Sequence, residues 1–152
     1  AAMTRLLIIA HAPLASALAE VAAHTFPDCA AQLQALDVPP QMAPDEVQSR
    51  AAALLPAAEV QDTLILTDVF GATPCNAAQR LADGVHVRVV AGVNVPMLWR
   101  TLCYANEPLD ALVARAMAGA TQGVMQASAT RPQQQARGAG PEDAKDQRHH
   151  HQ

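Results

Sequence analysis

Apolar positions along this chain keep two rhythms: short continuous runs, and stretches in which they recur every three or four residues. Leu6 to Ala10 is a continuous run, the pattern of a strand buried on both faces. Leu14, Leu18, Val21 and Ala22 follow at helical spacing. Gln32 to Val38 (QLQALDV) alternates and reads as a second strand, ended by Pro39 and Pro40. Pro44, with Asp45 and Glu46 behind it, opens a helix whose inner stripe is Val47, Ala51, Leu54 and Leu55. Thr63 to Thr67 (TLILT) is the third strand. Thr73-Pro74 then predicts an N-cap and a proline at the first helical position, with Ala77, Ala78 and Leu81 inward. Val85 to Ala91 is the fourth strand. Asn94 caps a short helix carrying Met97, Leu98 and Leu102. Asn106 and Pro108 start a last helix with Leu109, Leu112, Val113, Ala116 and Met117 on one face. Gly123 stops it, and VMQAS (124–128) is a candidate short edge strand.

Strands that alternate strictly with helices imply an α/β fold, a doubly wound, mainly parallel sheet covered by helices on both faces. Ligands of such sheets sit beyond the carboxyl ends of the strands, where the strand order reverses. With the order 2-1-3-4, strands one and three are neighbours and the reversal lies between them. His11 follows strand one and Asp68 follows strand three, so this order brings an imidazole and a carboxylate together.

Composition narrows the function classes. The chain has 152 residues, 51% of them apolar, enough for one domain with a real core. Aromatics are only 3%, too few for a base-stacking platform, and a net charge of -4 disfavours nucleic acid and anionic lipid. No apolar run approaches the roughly 20 residues of a membrane span, and the N-terminus lacks the regions of a signal peptide. Cys29, Cys75 and Cys103 form no C-x-x-C pair, which fits reduced thiols in a cytoplasmic protein. After residue 128 the chain turns to Gln, Gly, Pro and charge. The expected organisation is a domain over 3–128 and a disordered tail over 129–152, whose His149 to His151 read as a solvated end rather than a metal site.

The chemistry gathers around two stretches. A histidine after a strand is by default a structural residue, and an aspartate there can simply cap a turn. Together they form a device: a carboxylate accepting Nδ1–H fixes the tautomer and leaves the Nε2 lone pair free as a nucleophile. No G-x-S-x-G elbow is present to complete a hydrolase triad. Gly71, Ala72, Thr73 and Pro74 form a small-residue loop leading into a helix. Its free N–H groups, the helix dipole and the Thr73 hydroxyl suit a phosphoryl group.

Three blocks, IIAHAPLASAL, LILTDVFGATPCNAA and VVAGVNVPML, carry a resemblance to the IIA component of mannose-type sugar phosphotransferase systems, the mannose/fructose/sorbose family. It runs from about residue 4 to 128. The resemblance implies that His11 is phosphorylated on Nε2, that Asp68 orients and stabilises it, and that Gly71, Ala72 and Thr73 hold the phosphate. Thr73 stands where the family usually has serine. Asn94 and Pro96 would shape the site wall. The implied role is that of a phosphocarrier, taking a phosphoryl group from phospho-HPr and passing it to a IIB partner. A homodimer made by exchanging 124–128 as an antiparallel edge strand is also implied, with no cofactor, metal or nucleic acid. Ala12 and Ala72 depart from the pattern, which usually has glycine at both places, and each adds a methyl where backbone and phosphate approach closely.

Other readings explain less. A receiver domain also has an aspartate after strand three, but needs an acidic pair after strand one and a late lysine; here His11 occupies the former place and the only lysine is Lys145. No G-x-G-x-x-G or Walker loop follows a strand, and a metal bound at His11 and Asp68 would lack further ligands. A regulatory phosphocarrier without sugar transport would have the same site.

Overall fold

Leu6, Leu7, Ile8, Ile9 and Ala10 are all fully buried, because their strand is flanked by a neighbour on each edge and by helices on each face. The structure, a computed structural model, describes residues 3–128. In chain order its elements are β1 (Arg5–His11), α1 (Leu14–Thr25), a 3-10 turn (Ala30–Gln32), β2 (Leu33–Val38), α2 (Pro44–Ala53), β3 (Thr63–Thr67), α3 (Thr73–Leu81), β4 (Val87–Ala91), α4 (Val95–Cys103) and α5 (Leu109–Gln122). The strands form one parallel sheet in the order β2-β1-β3-β4, as the alternation predicts. The expected tail, with its histidine run, lies outside the described residues.

Period-two alternation divides the core into two layers. Leu6, Ile8, Leu64 and Leu66 pack with α1, α4 and α5 through Leu18, Leu98, Leu102, Leu112 and Ala116. Leu7, Ile9 and Ile65 pack on the other face with Val47 and Ala51 of α2 and Ala77 and Ala78 of α3. The chain leaves β1 for β2 in one direction and β3 for β4 in the other, so the reversal falls between β1 and β3. Their register pairs Ile9 with Thr67, which sets His11, the last residue of β1, beside Asp68, the first residue after β3.

Several boundaries differ from expectation, each for a local reason. Strand β4 starts at Val87 rather than Val85, because the Asp83 carboxylate takes the N–H groups of Val85, His86 and Val87 and holds them in a turn. Thr73 is the first helical residue of α3, not its N-cap. That place falls to Ala72, whose carbonyl accepts the first helical bond from Asn76 N–H at 2.9 Å. The buried stripe of α1 is Ala15, Leu18 and Ala22, with Leu14 and Val21 left partly exposed. On α5, Met117 is exposed. Residues 124–128 are exposed and form no strand within the single chain.

Candidate functional site

His11 is the last residue of β1 and shares the face of Leu7 and Ile9, while Asp68 directly follows β3. One carboxylate oxygen, Asp68 Oδ2, lies 2.7 Å from His11 Nδ1 and also accepts the main-chain N–H of His11 at 3.0 Å. The other, Oδ1, accepts Val69 N–H at 2.8 Å. A carboxylate can only accept, so Nδ1 carries the hydrogen and the Nε2 lone pair points away from Asp68. The imidazole is 51% exposed and the carboxylate 13%, so the ring faces outward on a sheltered support.

Burial pushes the Asp68 carboxyl upward. The N–H and ring of His11, the Val69 N–H and the charge on His11 outweigh it and hold the carboxyl below its ordinary value of 3.8. Asp68 is therefore ionised across the physiological range. It is placed to stabilise positive charge on the ring.

The loop after Asp68 leads into α3 with main-chain N–H groups outside the helical ladder. Gly71 takes φ +94, a left-handed turn that glycine adopts without strain, and the chain then enters α3, which packs against β1 and β3. Pro74 has no N–H, and the first helical bond is made by Asn76, so the N–H groups of Ala72, Thr73 and Cys75 stay outside the helical ladder. Ala72 sits at φ -98, and no described residue other than glycine has positive φ. Neither Ala12 nor Ala72 therefore occupies a backbone conformation that only glycine tolerates.

The third block closes the site from behind. Gly92, at φ +92, turns the chain after β4, and its N–H donates to the Asp68 carbonyl at 3.1 Å. Val93 N–H donates to the Thr67 carbonyl at 2.9 Å. Asn94 caps α4 as expected, its Oδ1 accepting Met97 N–H at 2.9 Å. Pro96, expected in the site wall, instead faces α5, where a Cβ on Gly123 would come within 2.3 Å of its own Cβ.

Sequence reading missed Asp37. At the end of β2 its Oδ1 accepts Ser16 N–H at 3.0 Å and caps α1, the helix that begins at Leu14, three residues after His11. An aspartate just before Pro39-Pro40 was the available signal, but QLQALDV read only as strand. Among the described residues no group of three or more His, Cys, Asp or Glu is placed to hold a metal ion. No described helix is long and apolar enough to cross a membrane.

A doubly wound sheet that presents a carboxylate-backed histidine at its switch point, beside a loop of free N–H groups, defines an α/β domain equipped to handle an anionic group. The family model for the PTS system fructose IIA component matches residues 5–117, and the chain belongs to that family. It is 37% identical over 90 residues to the PTS system mannose-specific EIIAB component of Escherichia coli (strain K12), a stretch covering 57% of this chain and 28% of that protein. The chain thus spans under a third of that curated relative. The mannose/sorbose-specific IIA subunit of the phosphotransferase system from Enterococcus faecalis shares the fold with a TM-score of 0.77 at 24% identity, over 86% of this chain and 98% of that one. The phosphotransferase system component EIIA from Streptococcus agalactiae does so with a TM-score of 0.72 at 19% identity, over 82% and 97%.

Proposed function

We propose that this protein is a phosphocarrier of a sugar phosphotransferase system, accepting a phosphoryl group on His11 Nε2 from phospho-HPr and passing it to a IIB partner. The observation that carries this reading is the bond between Asp68 Oδ2 and His11 Nδ1, which leaves Nε2 as the free nucleophile. As Nε2 attacks phosphorus, its lone pair forms the new N–P bond. The donor's P–N bond breaks and its electron pair returns to the donor imidazole. Nδ1–H stays in place, and the positive charge that grows on the ring is met by Asp68. Passage to the acceptor reverses these steps. The work is alignment and charge stabilisation, with Gly71, Ala72 and Thr73 holding the phosphoryl oxygens through N–H groups and the Thr73 hydroxyl.

The surroundings favour a protein donor over a small one. Val69 and Phe70, next to Asp68, are 50% and 74% exposed, an apolar rim beside a half-exposed ring. A homodimer also fits. Among the described residues strand β4 has a free edge, a groove of about 550 Å³ lined by Val90, Met97, Met117 and Val124 lies beside it, and 124–128 is exposed at its margin. Exchange of that segment onto the partner's β4 would cover both.

Incubation with phosphoenolpyruvate, enzyme I and HPr, followed by intact-mass measurement, tests the reading. The expected result is one acid-labile phosphoryl group, absent from His11→Ala. Equal labelling of that variant refutes it.

A further inference from the structure

We propose that Asn94 is a positioning residue for the His11–Asp68 pair, fastening the loop that fixes Asp68 to the last turn of α5. The inference rests on the phosphocarrier reading for its meaning, but not for its geometry.

Asp68 is steered from two sides. Its carboxylate is held by the N–H groups of His11 and Val69, and its main chain by the β4–α4 loop: Gly92 N–H on the Asp68 carbonyl and Val93 N–H on the Thr67 carbonyl. These loop bonds fix where the Asp68 backbone leaves the sheet, and so where its carboxylate meets Nδ1. The loop itself lies outside the sheet and includes Gly92, so something must hold it.

Asn94 is the next side chain along, and it is used at both ends. Its Oδ1 accepts Met97 N–H at 2.9 Å and starts α4, while its Nδ2 donates to the Ala120 carbonyl of α5 at 3.3 Å. An ordinary cap needs only the oxygen. Ser, Thr or Asp would cap α4 equally well, and only the asparagine amide adds a donor to a second helix. Close packing reinforces the same joint. A Cβ on Gly123 would lie 2.3 Å from Pro96 Cβ, so the α5 terminus and the start of α4 meet with no room between them. A path of direct contacts therefore runs from Ala120 through Asn94 and the Gly92–Val93 backbone to Asp68 and the imidazole.

The test is Asn94→Ser, which keeps a capping oxygen and removes the amide donor. The readout is ¹⁵N NMR of the His11 ring, which reports the Nδ1–H tautomer without any phosphoryl transfer. The expected result is a mixed tautomer population and a transfer rate lowered by about tenfold, the lower end of the loss at metal sites when supports behind a ligating histidine are removed. Gln122→Ala is the control. It removes another α4–α5 tie, the 3.2 Å bond to Arg100, and should leave the ring signals unchanged. Wild-type ring signals in Asn94→Ser overturn the proposal, as does an equal change in Gln122→Ala. If the serine variant does not fold, Asn94→Asp, isosteric and still a cap, carries the same comparison. Failure of His11 to become phosphorylated in the wild type would instead sink the phosphocarrier reading and leave this NMR result standing.

Discussion

At the residue scale, one carboxylate oxygen takes both N–H groups that His11 offers it, from the main chain and from the ring. The two bonds together set the ring's position and tautomer, which a single contact to the ring would not. Asp68→Asn keeps the shape but lets an amide NH₂ face Nδ1, so the favoured tautomer is no longer enforced. Transfer should slow by roughly 10- to 100-fold, the range lost at metal sites when a group orienting a ligating histidine is removed, with the thermal unfolding curve of a folded domain retained. Unchanged single-turnover kinetics would remove Asp68 from the mechanism. The pairing itself was legible in the sequence, because His11 ends an apolar run and Asp68 ends another, and topology does the rest. The Asp37 cap on α1 was not legible, since a side chain that serves a helix from a neighbouring strand leaves no mark on hydrophobic periodicity.

At the element scale, β1 and β3 were readable because their burial is nearly complete, as in TLILT, where every residue is buried, whereas β2 and β4 at the sheet edges are mostly half-buried. The start of β4 was misplaced because a side chain there binds backbone. Asp83 delays β4 by gathering three N–H groups, and its neighbour His86 forms a second clasp with Asp62 at 2.8 Å, just before β3. The bond to Asp62 raises the His86 pKa above its ordinary 6.5 against the opposing effect of burial, helped by the charges of Asp62, Asp83 and Glu59. A raised folded-state value means that the clasp stabilises the fold fully below the ordinary histidine value. That contribution is lost as pH rises through the folded value. The melting-temperature difference between wild type and His86→Gln should therefore be largest below the ordinary histidine value and shrink as pH rises above it. A difference that grows with pH would contradict the assignment.

At the scale of the whole molecule, the described residues leave a half-exposed imidazole at the top of the sheet and, at its sides, the outer edges of β2 and β4, of which the β4 edge lies beside 124–128. The first suits transfer between proteins, and the second suits a second copy. If 124–128 pairs with a partner's β4, Met125→Lys should weaken the dimer in sedimentation velocity without lowering helix content. Wild-type association of that variant would argue against exchange through this segment. The segment was legible as a strand candidate by composition, but within the single chain 124–128 takes no strand conformation. Ala12 and Ala72, read as possible narrowings of the phosphate loop, occupy ordinary backbone conformations, and the glycine geometry falls on Gly71. In the proposed transfer, Asp68 reserves Nδ1 and leaves Nε2 to the phosphoryl group. The direct measurement is ¹⁵N–³¹P NMR of the protein labelled at histidine and phosphorylated through HPr. Coupling of phosphorus to Nε2 of His11 is the predicted result; phosphorus on Nδ1, or on any other residue, would contradict it.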